Sequence, residues 1–195
     1  MVTKIGINGF GRIGRQILRV IMEQYQNDLE VVSINDGGSI ETNAHLFKYD
    51  STYGTYNGTV THNENILEID GHKINKTSDR NPENLDWSKY EVDIVVESTG
   101  NLTDRESASI HLNNGAKTVL VTAPASNADL TMVLGVNENE YNPDSHKILS
   151  NASCTTNCAA PLVKVLHDNF GINQGLMTTV HSYTNDQKVL DGNHK

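Results

Sequence analysis

The stretch Val2-Thr3-Lys4-Ile5-Gly6-Ile7-Asn8-Gly9-Phe10-Gly11-Arg12-Ile13-Gly14 decides the fold. Val2–Asn8 alternates as a strand does. Arg12–Tyr25 has a helical period, with Ile13, Ile17, Leu18, Ile21 and Tyr25 on one face. Between them, Gly9, Gly11 and Gly14 complete G-x-G-x-x-G. A glycine triplet alone is weak, but placed between a strand and a helix it has a physical meaning. The turn is tight, a pyrophosphate can approach the backbone, and the helix N-terminus offers free N–H groups and partial positive charge. Asp36 ends the next strand, Val31–Asn35, at about the 20-residue spacing of the fingerprint's ribose-binding acid. A carboxylate there accepts from ribose hydroxyls and favours NAD over NADP, while Gly37-Gly38 leaves space for some NADP use. The alternative is a structural turn with a solvated aspartate.

Outward from this unit, β-branched runs alternate with helical stretches. Val60–Ile74 contains short strands and an Asp70-Gly71 turn, which predicts a hairpin. Val92–Ser98, Thr118–Ala123 and Met132–Val136 read as further strands. Thr103-Asp104-Arg105-Glu106 has capping-box spacing and opens a helix closed by Gly115. The repeated alternation predicts an α/β fold with a doubly wound, Rossmann-type parallel sheet. A second region begins near Ser150. Asn151–Asn169 reads as a helix with Leu162, Val163, Leu166 and Phe170 at helical spacing, and Pro161 is expected to bend it or move its start. Ile172–His181 reads as a strand.

The bulk numbers agree. The chain has 195 residues, 36% of them hydrophobic, with 15 glycines and a formal net charge of -9. That excludes disordered and collagen-like classes and allows one ample domain or two small ones. The apolar runs are far shorter than the roughly 20 residues of a membrane span. No secretory signal is visible. The acidic balance argues against nucleic acid as the main partner. Two cysteines cannot build a disulfide framework and point to a reducing, cytoplasmic setting.

Cys154 sits among Ser150-Asn151-Ala152-Ser153-Cys154-Thr155-Thr156-Asn157-Cys158, at a predicted helix start. A helix N-terminus stabilises a thiolate. A free cysteine is usually a small core residue, but Cys154 has unusually polar neighbours. Cys158, beside Ala159 and Ala160, reads as structural. No C-x-x-C or H-E-x-x-H accompanies the pair, so no metal site is read here. His181 leaves an apolar run into the polar Ser182-Tyr183-Thr184-Asn185-Asp186. Alone it reads more readily as a structural histidine. Pairing with Cys154 would make it a base, and spacing does not show the pairing.

These segments, with Ile34-Asn35-Asp36, Lys48-Tyr49-Asp50-Ser51, Glu97-Ser98-Thr99-Gly100 and His181 through Gln187, closely resemble phosphorylating glyceraldehyde-3-phosphate dehydrogenase along the whole chain. The resemblance implies an NAD-binding Rossmann domain over 1–151 and the beginning of an α+β catalytic domain over 152–195. It implies a homotetrameric glycolytic enzyme with glyceraldehyde 3-phosphate and inorganic phosphate as partners. Arg12, Ile13, Asp36, Arg80 and Thr122 would bind NAD. Cys154 would be the nucleophile and His181 its base. Ser153, Thr155 and Thr184 would hold phosphate or substrate oxygens, although each could otherwise be an ordinary cap or loop residue.

Family chains continue past the equivalent of Lys195, into further phosphate-gripping arginines and a nicotinamide-orienting asparagine. The 195-residue chain alone is therefore expected to turn over poorly. Asn193 stands where the family commonly has proline. Two other readings remain. Erythrose-4-phosphate dehydrogenase shares the Ser153–Cys158 segment, and a non-catalytic NAD-binding module would need only the first domain.

Overall fold

The computed structural model of the chain describes residues 2–184. The quoted residues from Asn185 to Gln187, Asn193 and the rest of the second predicted domain's tail lie outside the described residues.

The first unit is β1 (Thr3–Asn8), α1 (Arg12–Val20) and β2 (Leu29–Asn35), with β1 and β2 parallel. The helix continues from α1 through a wider π turn at Ile21–Tyr25. Leu18, Ile21 and Met22 are buried, whereas Ile13 and Tyr25 are exposed. This corrects the apolar face expected for that helix. Ile13 stands in the first turn, and the π turn rotates Tyr25 away from the sheet.

Next come α2 (Ile40–Lys48) and a small antiparallel pair, β3 (Tyr49–Asp50) and β4 (Gly54–Thr55). Ser39 caps α2 by accepting from the Thr42 N–H at 3.2 Å. β5 (Val60–Asn63), β6 (Ile66–Ile69) and β7 (His72–Thr77) form antiparallel hairpins, the second turning at Asp70-Gly71. β7 returns parallel to β2. β8 (Ile94–Glu97), the short helices α3 (Arg105–Ala108) and α4 (Ile110–Asn113), β9 (Thr118–Val121), β10 (Leu130–Thr131), β11 (Ile148–Ser150) and α5 (Cys154–Phe170) complete the described chain.

The main sheet runs β10-β11-β9-β8-β1-β2-β7-β6-β5. Its strands from β10 through β7 are mutually parallel. Both faces are covered, as a parallel sheet requires. On one face Ile5, Ile7, Ile34, Ile74 and Val96 pack with Leu18, Ile21, Ala44 and Phe47 from the α1 and α2 layer. On the other, Val95 packs with Leu85, Trp87, Val92 and Ala116, and Ala108 packs with Val119, Val121 and Ile148. The doubly wound α/β expectation therefore holds.

Four local expectations are corrected. The predicted strand Met132–Val136 is a loop and turn, and the strand lies upstream at β10. There Leu130 and Thr131 pair with Leu149 and Ser150, and Asn137 holds the following turn by accepting from the Val133 N–H at 2.9 Å. The helix after Thr103 is capped by Asp104, which accepts from the Ser107 N–H at 2.9 Å, and it is divided at Ser109. Asp104 takes the cap that the box assigned to Thr103, its carboxylate accepting from both the N–H and the hydroxyl of Ser107.

α5 starts at Cys154 rather than Asn151 and runs through Pro161. The face expected to pack, Leu162, Val163, Leu166 and Phe170, is exposed among the described residues. Ile172–His181 is irregular rather than a strand. Leu176 and Val180 are fully exposed, and no described strand lies beside the segment to complete a ladder.

Candidate functional site

Two regions at the carboxyl ends of the parallel strands carry the predicted site residues. The first is a cavity of about 440 Å³ lined by Asn8, Gly9, Asp36, Arg80, Thr99 and Asn101, among others. It lies where ligands of open α/β sheets bind. Gly9 has φ +92°, and a Cβ there would meet the Thr99 nitrogen at 2.7 Å. A Cβ on Gly14 would come within 2.2 Å of the Gly9 carbonyl oxygen. These glycines permit the tight turn and the close approach of α1 to β1. Gly11 differs: a Cβ there would meet nothing within 4 Å. The space above the α1 N-terminus is open, which suits a pyrophosphate on free N–H groups. Arg12 and Ile13 are exposed on that first turn.

Asp36 is half-buried at the end of β2. Its Oδ1 accepts from the Phe10 N–H at 3.0 Å, and its Oδ2 accepts from Gly38 N–H at 2.8 Å and Asn43 Nδ2 at 3.1 Å. Burial pushes its pKa up, but the donors from Asn43, Gly38 and Phe10 and the nearby Lys76 ammonium outweigh that and hold it below the usual carboxylate range. The carboxylate stays charged and retains lone pairs for ribose hydroxyls. Arg80 is exposed on the cavity lining, with its Nε 3.9 Å from where a Gly37 Cβ would stand. Thr122 lies beyond the cavity lining, and its hydroxyl donates to the Glu97 carbonyl oxygen at 3.1 Å.

The second region is the α5 N-terminus. Ser153 is the N-cap and accepts from the Thr156 N–H at 2.9 Å. Cys154 is exposed on the first turn, with Sγ 3.1 Å from His181 Nε2. His181 Nδ1 lies 2.5 Å from the Ser182 carbonyl oxygen, which can only accept. The ring proton therefore belongs on Nδ1, and Nε2 presents a lone pair to the thiol. The hydrogen bond to His181 lowers the Cys154 pKa, burial slightly opposes this, and imidazolium charge with the Thr155 N–H and hydroxyl lowers it further. The Ser182 carbonyl, then the Cys154 partner, raises the pKa of His181. The two shifts together favour a thiolate–imidazolium pair. Cys158, also exposed, has no such partner among the described residues. Thr184 is exposed on the segment that follows His181.

Sequence reasoning missed the residues that hold this turn. Buried Ser150 donates from its hydroxyl to the Ala123 carbonyl at 2.8 Å and accepts from the N–H groups of Ala152 at 3.1 Å and Ala125 at 3.2 Å. Ala152 has φ +56°, a left-handed entry to the nucleophile turn. Asn157 Nδ2 donates back to the carbonyls of Asn151 at 2.8 Å and Ser153 at 2.9 Å. Asn8 and Asn35 on the cavity floor were missed too. Their signal was an amide ending each of two apolar strands. Among the described residues no cluster of acidic, histidine and cysteine side chains could hold a metal, and no helix is long and apolar enough to cross a membrane.

The fold and its glycine-turn cavity define a dinucleotide-binding α/β protein. The family model described as glyceraldehyde 3-phosphate dehydrogenase, NAD binding domain, matches residues 3–105, more than half of the chain. The model of that family's C-terminal domain matches residues 153–195. All 195 residues align at 54% identity with glyceraldehyde-3-phosphate dehydrogenase of Geobacillus stearothermophilus and at 53% with glyceraldehyde-3-phosphate dehydrogenase 2 of Streptomyces avermitilis, covering 58% of each relative. The corresponding protein 2 of Bacillus subtilis is 50% identical, with 57% of its length covered. The chain belongs to the glyceraldehyde 3-phosphate dehydrogenase family. It spans under three-fifths of the length of these curated relatives.

Proposed function

We propose that the chain carries the NAD site and the nucleophile–base pair of a phosphorylating glyceraldehyde-3-phosphate dehydrogenase. On this reading 1–151 is the NAD-binding domain, and 152–195 begins the catalytic domain of a cytoplasmic homotetramer. The supporting observation is the 3.1 Å approach of His181 Nε2 to Cys154 Sγ at the α5 N-terminus.

Gly9, Gly11, Arg12, Ile13 and Gly14 would receive the pyrophosphate end of NAD, Asp36 its ribose, and Arg80 its adenine side, with Thr122 as a further contact. Bound NAD would supply the hydride acceptor. Asp36 favours NAD, and the Gly37-Gly38 space admits some NADP.

His181 Nε2 takes the proton of Cys154, and the thiolate attacks the aldehyde carbon of glyceraldehyde 3-phosphate. The hemithioacetal oxygen is stabilised by the Cys154 N–H and the imidazolium. The imidazolium gives its proton to that oxygen, and the neutral His181 then takes the hydroxyl proton back as the carbon is oxidised, bound NAD being what would accept the hydride. The resulting Cys154 thioester is cleaved by inorganic phosphate, yielding 1,3-bisphosphoglycerate and the free thiolate. Ser153, Thr155 and Thr184 are proposed to hold phosphate or substrate oxygens, Ser153 alongside its capping role.

The test is a single-turnover reaction of the purified chain with NAD and glyceraldehyde 3-phosphate, quenched in acid and mapped by mass spectrometry. The expected product is an acyl adduct on Cys154 that Cys154→Ser abolishes. An unmodified Cys154 with intact adenylate binding would instead support a binding module.

A further inference from the structure

Thr77, Asn35, Asn8 and Glu97 lie side by side across four parallel strands at their carboxyl ends. Thr77 is in register with Asn35, Asn35 with Asn8, and Asn8 with Glu97. Glu97 is 1% exposed and lies behind the cavity lining. Its Oε2 accepts from Asn8 Nδ2 at 2.6 Å and from His111 Nε2 at 2.9 Å. Its Oε1 accepts from the Thr99 N–H at 2.8 Å and from the Thr99 hydroxyl. A buried carboxylate needs such a set of donors.

The direction of each bond is fixed by groups that can only donate. The Trp87 indole N–H donates to His111 Nδ1 at 3.0 Å, so the ring proton sits on Nε2 and points at Glu97. At the other end, the Asp79 N–H donates to Asn35 Oδ1 at 3.0 Å. Asn35 Nδ2 must then donate, to Asn8 Oδ1 at 2.8 Å and to the Asp79 carbonyl at 2.9 Å. Asn8 Nδ2 is left to face Glu97. The row from Asn35 through Asn8 and the row from Trp87 through His111 both end on this one carboxylate. The residues it holds, Asn8, Asn35, Asp79 and Thr99, line the cavity beside Asp36 and Arg80.

We propose that Glu97 is a positioning residue for the adenosine end of the cavity, acting through Asn8, Asn35 and Thr99 and braced by His111. The proposal rests on the reading of that cavity as a dinucleotide site. A glutamine at 97 would turn an NH2 toward the Thr99 N–H or toward the Asn8 and His111 donors. Asn8 and Asn35 cannot rotate to compensate, because the Asp79 N–H requires an oxygen at the end of the row.

The test titrates AMP into the 195-residue parent and into Glu97→Gln, His111→Leu and His111→Gln, with folding checked by circular dichroism. Glu97→Gln is expected to weaken AMP binding by roughly tenfold, the effect of one unmade buried hydrogen bond. His111→Leu weakens it less, and His111→Gln, which returns an N–H to the Nε2 position, restores most of the affinity. Such rescue separates hydrogen bonding from packing. A folded Glu97→Gln chain that binds AMP like the parent overturns the proposal. So do His111→Leu and His111→Gln if equally weak. If Glu97→Gln does not fold, the two His111 variants decide. A parent that binds no AMP overturns the dinucleotide reading itself.

Discussion

The indole of Trp87 occupies the space that a side chain at Gly6 would need. A Cβ on Gly6 would stand 2.8 Å from ring carbon Cζ3 and 2.9 Å from Cε3. Gly6 is therefore a packing glycine in the middle of β1, unlike those of the turn that follows. Gly6→Ala is expected to push Trp87 outward and destabilise the chain by about 1–3 kcal/mol, as overpacking does. Urea unfolding followed by emission of Trp87, the only tryptophan in the chain, measures this. An unchanged midpoint and spectrum would mean that the ring has room.

The Cys154 thiol is held below, and the His181 imidazole above, its ordinary range. Both shifts favour the thiolate–imidazolium form of the pair and extend thiolate character below the ordinary thiol range. In His181→Gln the iodoacetamide rate of Cys154 should rise only near the ordinary thiol value of about 8.5. In the parent the rise comes at lower pH. Identical pH profiles would separate the two residues functionally.

Asp36 has a lowered carboxyl pKa in the folded chain. Its stabilisation is thus present above the unfolded pKa of about 3.9 and is lost as pH falls through the lower folded value. Asp36→Asn should cost about 1–3 kcal/mol at neutral pH, because one backbone donor loses its acceptor. The difference from the parent should shrink in strong acid. The same variant should bind NAD more weakly, by titration calorimetry. A stability difference that does not depend on pH would argue against this role of the charge.

Ser150→Ala removes the hydroxyl that joins Ala123, Ala125 and Ala152. The Ala152 amide should then exchange with solvent faster, and the nucleophile turn should loosen at a cost of about 1–3 kcal/mol. Hydrogen exchange read by mass spectrometry over 150–157 tests this. Protection equal to the parent's would assign the turn to Asn157 and the helix cap alone.

Local periodicity carried β1, α1 and β2 because a strand, a glycine turn and a helix each have a signature within a few residues. The same logic misplaced β10. Met132, Val133 and Leu134 look like a strand, but Leu134 is exposed and the ladder forms at Leu130–Thr131. Ile172–His181 has strand composition, yet a strand exists only with a partner, and none of the described strands supplies one. At the site, Cys154 was legible from its polar neighbours, whereas its distance to His181 depends on how the chain returns. Glu97 was least legible. Asn8 is 89 residues away from it in sequence, and only the parallel register brings them together.

That register has a consequence for folding. Ile34, Ile7 and Val96 precede Asn35, Asn8 and Glu97 and point to the opposite, apolar face. Sliding any one strand by a single residue would send an amide or a carboxylate into that oily layer and leave its neighbours without acceptors. The polar row thus acts as an alignment key. It penalises mispaired strands while the sheet assembles, before any ligand is present.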